Sequence, residues 1–183
     1  SVGCLHVRPV LDMKQAAGAE TMRAIAEEAF ALVREFGGSH SGEHGDGIVR
    51  SEFNDMMFGP VLPDLFRQVK AMFDPKGMFN PGKITDAPKM DDRSLFRFAP
   101  GYEVEGVDSI LDWAEWPGAA GGLQGAVEMC NNNGACRKLE GGVMCPSYRA
   151  TRNERDAVRG RANTLRLALS GQLGPEALTG DAM

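Results

Sequence analysis

The chain has 183 residues, 43% of them hydrophobic, and a formal net charge of −5. That apolar content suffices for one sizeable core or two small ones, and an acidic chain without a basic face argues against nucleic-acid binding. No run of about 18 apolar residues occurs, so no membrane span is expected. The opening, Ser1 to Leu5, lacks an initiator Met and the basic n-region of a signal peptide. A piece of a longer protein is expected.

Residues 1–10 alternate, with Leu5 and Val7 on one face and Cys4, His6 and Arg8 on the other, the period of a strand with one apolar side. Residues 16–36 predict a helix. Met22, Ile25, Ala26, Ala29, Leu32, Val33 and Phe36 recur at helical spacing, and Gly37-Gly38 closes it. A glycine-dense loop follows, from Ser39 to Gly47. A short helix is expected over 63–73 with Leu65, Phe66, Val69 and Met72 inward, ended by the turn residues Asp74-Pro75-Lys76-Gly77 and then Asn80-Pro81-Gly82-Lys83. Residues 84–123 have no clear period and read as an inter-domain connection with a short hairpin near Leu95 to Phe98. A helix is expected over 151–170. Thr151 and Glu154 are spaced as a capping box, Val158, Ala162, Leu165 and Leu169 form one face, and Arg152, Arg155, Arg159 and Arg166 the other.

Two groups of side chains carry chemistry. His6 and Arg8 share the polar face of the expected strand, and Glu43-His44 stands between Gly42 and Gly45. A glycine-rich loop can bend so that neighbouring side chains enter one cleft. Taken alone, His6 reads as a hydrogen-bonded core histidine, and Glu43-His44 as a polar surface turn. His40 has no evident partner and reads as a surface or supporting residue. The second group is Cys130, Cys136 and Cys145, three of the four cysteines, in one short window rich in Gly and Asn, with Pro146 after the last. Cys130 and Cys136 take the outer places of C-x2-C-x2-C, with Asn133 at the middle. Soft thiolates in such a run point to an iron–sulfur cluster. The competing readings are a zinc site, whose usual paired C-x2–4-C spacing is missing, and plain buried thiols.

The segment Gly38-Ser39-His40-Ser41-Gly42-Glu43-His44-Gly45-Asp46-Gly47 resembles the Ser-x-Glu-His-Gly stretch of the FAD-linked oxidase C-terminal domain. Phe73 to Lys83 is similar to that family's closing segment near the flavin, and Gly3-Cys4-Leu5-His6 to the second half of its His-x6-His strand. The family includes D-lactate, glycolate and D-2-hydroxyglutarate dehydrogenases of the vanillyl-alcohol-oxidase type. The resemblance implies His6 and Glu43 as ligands of a divalent metal (Zn or Mn) and His44 as the catalytic base. It implies Asn80, Gly82 and Lys83 beside FAD. The family's first histidine falls ahead of Ser1. Its usual Asn two places after the second is replaced by Arg8, which then holds the substrate carboxylate. The cysteine window resembles the 4Fe-4S domain fused behind such oxidases in large bacterial enzymes.

The expected architecture is therefore α+β. A truncated antiparallel-sheet substrate domain over residues 1–88 is followed by a connection over 89–123 and the start of a small, mostly helical, ferredoxin-like 4Fe-4S domain over 124–183. The expected activity is FAD-dependent oxidation of a D-2-hydroxy acid, of D-2-hydroxyglutarate or D-lactate type. Electrons pass to the cluster and on to a quinone or another redox carrier, in the cytoplasm or at the periphery of the inner membrane. The alternative from another class is an electron-transfer module carrying a non-catalytic oxidase remnant. The arginine stripe reads as a solvated helix face, or as charge that offsets a negative cluster.

Overall fold

The structure is a computed structural model that describes residues 3–104, 109–116, 121–142 and 144–179. The chain divides into two compact units, Ser1–Gly101 and Tyr102–Met183. Of the expected connection, residues 105–108 and 117–120 lie outside the described residues.

The α+β expectation is corrected. Among the described residues every regular element is helical, and no strand forms. Residues 3–10 do alternate, but Leu5, Val7 and Val10 are exposed. Alternation only prepares a segment for a sheet; a strand exists when its N–H and C=O groups meet a ladder partner, and no described segment offers one. The hairpin expected near Leu95 is instead a single 3-10 turn, Arg93–Leu95, closed by Asp92 accepting from Ser94 N at 3.0 Å.

The first unit is built on α1, Ala16–Glu35. Its alanine-rich face lets other elements approach closely: Ala26 is buried with Phe53 and Met90, and Met22, Phe30 and Met56 pack around them. The helix ends through Gly37 (φ +67°), whose N–H reaches Arg34 O at 3.0 Å, while Gly38 N reaches Val33 O at 2.8 Å. A residue with positive φ is what lets the chain fold back onto the last carbonyls. Beyond α1, a 3-10 turn at Ser51–Phe53 runs into α2, Asn54–Phe58, and then α3, Val61–Phe73. Arg23 of α1 forks to Glu52 (2.9 Å) and Asp91 (2.9 Å), and Glu52 also accepts from Met90 N at 2.6 Å. These contacts draw residues 89–92 against the helix, so Met90 completes the core.

The inward face expected for α3 is largely open: Leu65, Val69 and Met72 are exposed, and only Phe66 is half-buried. What anchors this helix is its C-terminal turn. Asp74 is buried and accepts from Met78 N (2.9 Å), Phe79 N (2.8 Å) and Lys70 Nζ (2.5 Å). The Lys70 ammonium, then the Phe79 N–H, hold its carboxyl down at about 2. In the same way the Ser51 hydroxyl accepts from Ile84 N (3.0 Å), and Asn54 Nδ2 donates to Ile84 O (3.1 Å). The turn around residues 80–84 is thereby pinned to the start of α2.

The second unit packs α4, Gly122–Glu128, against α6, Val158–Leu169. Tyr102, Gln124 and Glu128 form a hydrogen-bonded triplet at 2.5–2.8 Å. Burial, then the neighbouring Glu128 carboxylate, pushes the Tyr102 phenol up to about 12. The single helix expected over 151–170 is broken. α5, Pro146–Thr151, stops at Arg152 (φ +60°), Asn153 caps a 3-10 turn at Glu154–Asp156, and α6 starts afresh. The Thr151 hydroxyl donates to Ser147 O (3.1 Å) and Asp156 Oδ2 (2.7 Å) and accepts from Asn153 N (3.2 Å), bonds of the turn that ends α5 rather than of a capping box with Glu154. Nor is the arginine stripe one solvated face, because Arg166 is buried.

Candidate functional site

A file of aromatic rings places the glycine-dense loop. Phe53, Phe30, His40 and Phe58 meet edge to face in sequence, at centroid distances of 4.9, 5.2 and 6.0 Å, and Phe66 of α3 follows at 6.4 Å. His40 is thus drawn wholly into the interior, its side chain 0% exposed, with Nε2 3.7 Å from Asp46 Oδ1. Of the two places the sequence left open for it, surface or supporting, burial excludes the surface. Apolar rings had already filled both sides of a slot that an imidazole fits.

From this root the loop rises to Glu43 and His44, both exposed. Ser41 ties the tip, its hydroxyl donating to His44 O and its N–H reaching Ser39 Oγ at 3.2 Å. The N-terminal segment is brought over the loop by a close approach: a Cβ on Gly42 would stand 2.5 Å from Cys4 Sγ. Two residues on, His6 Nε2 donates to Glu43 Oε2 at 2.7 Å, and its ring lies edge-on to that of His44, 5.9 Å between centroids. Ligand atoms of His6, Glu43 and His44 all lie within 4.8 Å of one another. The His6 imidazole and the Glu43 carboxylate are donors of the kind a divalent ion such as zinc takes, with His44 standing beside them. Arg8 is exposed and outside this group.

Directly after His44 the chain lines a cavity of about 690 Å³. Gly45, Asp46 and Gly47 form one wall, Phe66, Val69, Lys70 and Phe73 of α3 another, and Phe79, Asn80, Lys83 and Ile84 the third. Apolar walls with a few charged groups are the usual make-up of a ligand cleft. Asn80 and Lys83 are therefore at the cavity. Gly82 is not among its lining residues. It serves the turn, with φ +71° and a Pro88 side chain 3.4 Å from where a Cβ would be. Sequence reasoning missed Asp46 and Lys70 as lining residues, and Cys4 as the strut under His6. None of these has a signature in spacing, since each acts through a contact made only on folding.

In the second unit side-chain hydrogen bonds shape the loop between Cys130 and Cys136. Asn133, at the place expected for a cysteine, accepts from Ala135 N at 2.8 Å in a local turn ahead of the Ala135–Arg137 3-10 turn. Arg159 Nη1 donates to Asn132 O (3.2 Å) and Asn163 Nδ2 to Asn132 Oδ1 (2.6 Å), pinning the loop between Cys130 and Cys136 to α6. Cys145 is buried at the head of α5. The Tyr148 N–H, opposed by burial and helped by the Ser147 hydroxyl, draws its thiol below the usual range. None of the four cysteines is in a disulfide. Cys130, Cys136 and Cys145 do not converge as closely as the His6–Glu43–His44 group does.

Residues 2–84 match the model of the family described as FAD linked oxidases, C-terminal domain. The similar curated proteins are more particular. The chain is 37% identical over 177 residues to D-2-hydroxyglutarate dehydrogenase of Pseudomonas putida, covering 93% of this chain and 16% of that protein. It is 37% identical over 170 residues to the Escherichia coli protein of the same name, covering 90% and 15%. Over 83 residues it is 36% identical to D-lactate dehydrogenase of Anaerostipes hadrus, covering 45% and 18%. The chain thus spans about a sixth of the length of the curated relatives it matches along most of its own length. No solved structure matches it. Among the described residues no helix is long and apolar enough to cross a membrane.

Proposed function

We propose that the chain contributes the base and the metal-holding side chains of an FAD-dependent dehydrogenase acting on a D-2-hydroxy acid, of D-2-hydroxyglutarate or D-lactate type. The observation that carries this reading is the meeting of His6, Glu43 and His44 at one edge of a cavity walled by Asn80 and Lys83. A divalent ion held by His6 and Glu43 would polarise a bound hydroxyl, and a flavin against Asn80, Gly82 and Lys83 would supply a hydride acceptor. The chain's own part is to hold and move a proton. His44 accepts the hydroxyl proton at an imidazole nitrogen as the carbinol carbon gives up its hydride. Arg8, two residues beyond His6, forks onto the substrate carboxylate.

We infer the same division of labour along the chain as its sequence suggests: catalytic residues within 1–88, a connection over 89–123, and from 124 the start of a 4Fe-4S domain. Cys130, Cys136 and Cys145 would hold the cluster, which would supply a relay for electrons toward a quinone or another carrier. The lowered Cys145 thiol and the guanidinium of Arg159 beside the 131–134 loop suit thiolate ligands. Iron and acid-labile sulfide in anaerobically purified full-length protein test this part.

The test of the catalytic reading is His44→Ala in the full-length protein, assayed on D- and L-2-hydroxy acids. Loss of a general base lowers kcat by about 10²-fold or more. Turnover near the parent's would defeat it.

A further inference from the structure

His40 is an ionisable side chain that is wholly buried without a part in the chemistry above, and its surroundings are uneven. Phe30 and Phe58 press edge-on against the ring from α1 and α2. Its two nitrogens are both buried and, among the described residues, neither has a hydrogen-bond partner. A phenylalanine would fill such a slot without stranding polar atoms. The polar group facing the ring is the Asp46 carboxylate, 3.7 Å from Nε2, just outside hydrogen-bond range.

The places of these two residues in the chain give the contact a meaning. His40 lies three residues before Glu43, and Asp46 two residues after His44. One limb of the loop is rooted among the aromatic rings. The other passes along the cavity wall, where Asp46 O accepts from Arg50 N at 3.2 Å. The Ser41 hydroxyl already joins the limbs near the tip. We infer that His40 and Asp46 are the second tie, a clasp across the base of the loop that sets where Glu43 and His44 stand. This inference rests on the base role proposed for His44. A sub-ångström closure brings Nε2 and the carboxylate into hydrogen-bond contact, and catalytic hydrogen bonds that are long in the free enzyme commonly tighten in this way when substrate binds. His40 is a positioning residue: it touches neither substrate nor cofactor and acts through the loop.

The experiment uses four variants of the full-length protein: His40→Phe, His40→Gln, Asp46→Asn and the His40→Phe/Asp46→Asn double. Phenylalanine keeps the ring packing and removes the nitrogens. Glutamine restores a donor near Nε2. The expected result is a fall in kcat of about tenfold or more for His40→Phe, with KM moved less than about threefold, because a misplaced base slows chemistry without loosening the substrate. Asp46→Asn falls by a similar factor, the double variant is no worse than the poorer single, and His40→Gln recovers part of the loss. A purely structural role predicts instead that His40→Phe keeps its kcat and melting temperature, and that outcome overturns the clasp. Effects that multiply in the double variant overturn it too. Should His40→Phe fail to fold, His40→Gln and Asp46→Asn still decide: a wild-type kcat in Asp46→Asn refutes the proposal. The two readings separate through His44→Ala. An inactive His44→Ala beside a normal His40→Phe removes the clasp alone, whereas an active His44→Ala removes the base and the clasp with it.

Discussion

Gly42→Ala is the smallest change that separates His6 from its partners. The added Cβ would sit 2.5 Å from Cys4 Sγ, and ordinary contact needs a displacement of roughly 0.9 Å or more. If residues 3–6 take up that shift, His6 moves from 2.7 Å to about 3.6 Å from Glu43, beyond a hydrogen bond. The local overpacking costs about 1–3 kcal/mol. The misplaced imidazole lowers turnover by up to about 10²-fold. The control is Cys4→Ala/Gly42→Ala. With the sulfur gone, the nearest remaining atom of residue 4 is its Cβ at 3.9 Å, an ordinary contact, so the double variant regains most of the activity and stability that Gly42→Ala loses. Steady-state turnover and a thermal melt on the full-length protein read both effects. Wild-type turnover in Gly42→Ala with Cys4 intact would mean the thiol swings aside about χ1, and would refute the idea that this contact sets His6 over the loop.

Two further outcomes follow from packing and charge. Gly160→Ala, in the first turn of α6, would raise helix propensity by about 1 kcal/mol at an open position. Here the new Cβ runs into Glu154 O, a backbone atom that has no rotamer to escape into. The net effect is a loss of about 1–2 kcal/mol, read as a lower urea midpoint; a rise in the midpoint would contradict the geometry. Asp74→Asn tests the anchor of α3. The carboxyl titrates near 2 in the folded chain against 3.8 ordinarily. Its stabilisation is therefore complete above about pH 4 and disappears as pH falls through about 2. The variant is less stable at neutral pH, and its stability falls less steeply between those limits, by up to about one proton's worth of slope. Denaturation curves at a series of acid pH values measure it, and parallel pH profiles for parent and variant would count against the assignment.

The helix α1 was plain from the sequence. A long run with apolar residues three and four apart and a double glycine at its end needs only its own i to i−4 hydrogen bonds, and the observed Ala16–Glu35 agrees with the expected 16–36. The strand over residues 1–10 was just as regular a pattern and did not form among the described residues, because a ladder needs a second segment that a local pattern cannot supply. Which face of α3 is covered was likewise unreadable. Its apolar stripe is real, but Leu65, Val69 and Met72 are exposed in this unit. The break after Thr151 falls at Arg152, whose left-handed backbone ends α5 where the sequence showed no glycine to announce it.

By itself the sequence determined which groups are available for chemistry: Glu43-His44 between glycines, His6 on an alternating segment, and cysteines bunched near Pro146. Residue types and short spacings are local properties, and they are written in the chain. Only the tertiary structure decided that His6 meets Glu43 across 37 positions, that Cys4 props this meeting against Gly42, and that His40 is sealed between two phenylalanines while Arg166 is buried. Those facts depend on which distant surfaces exclude water together, a property of the packed whole that no window of sequence contains.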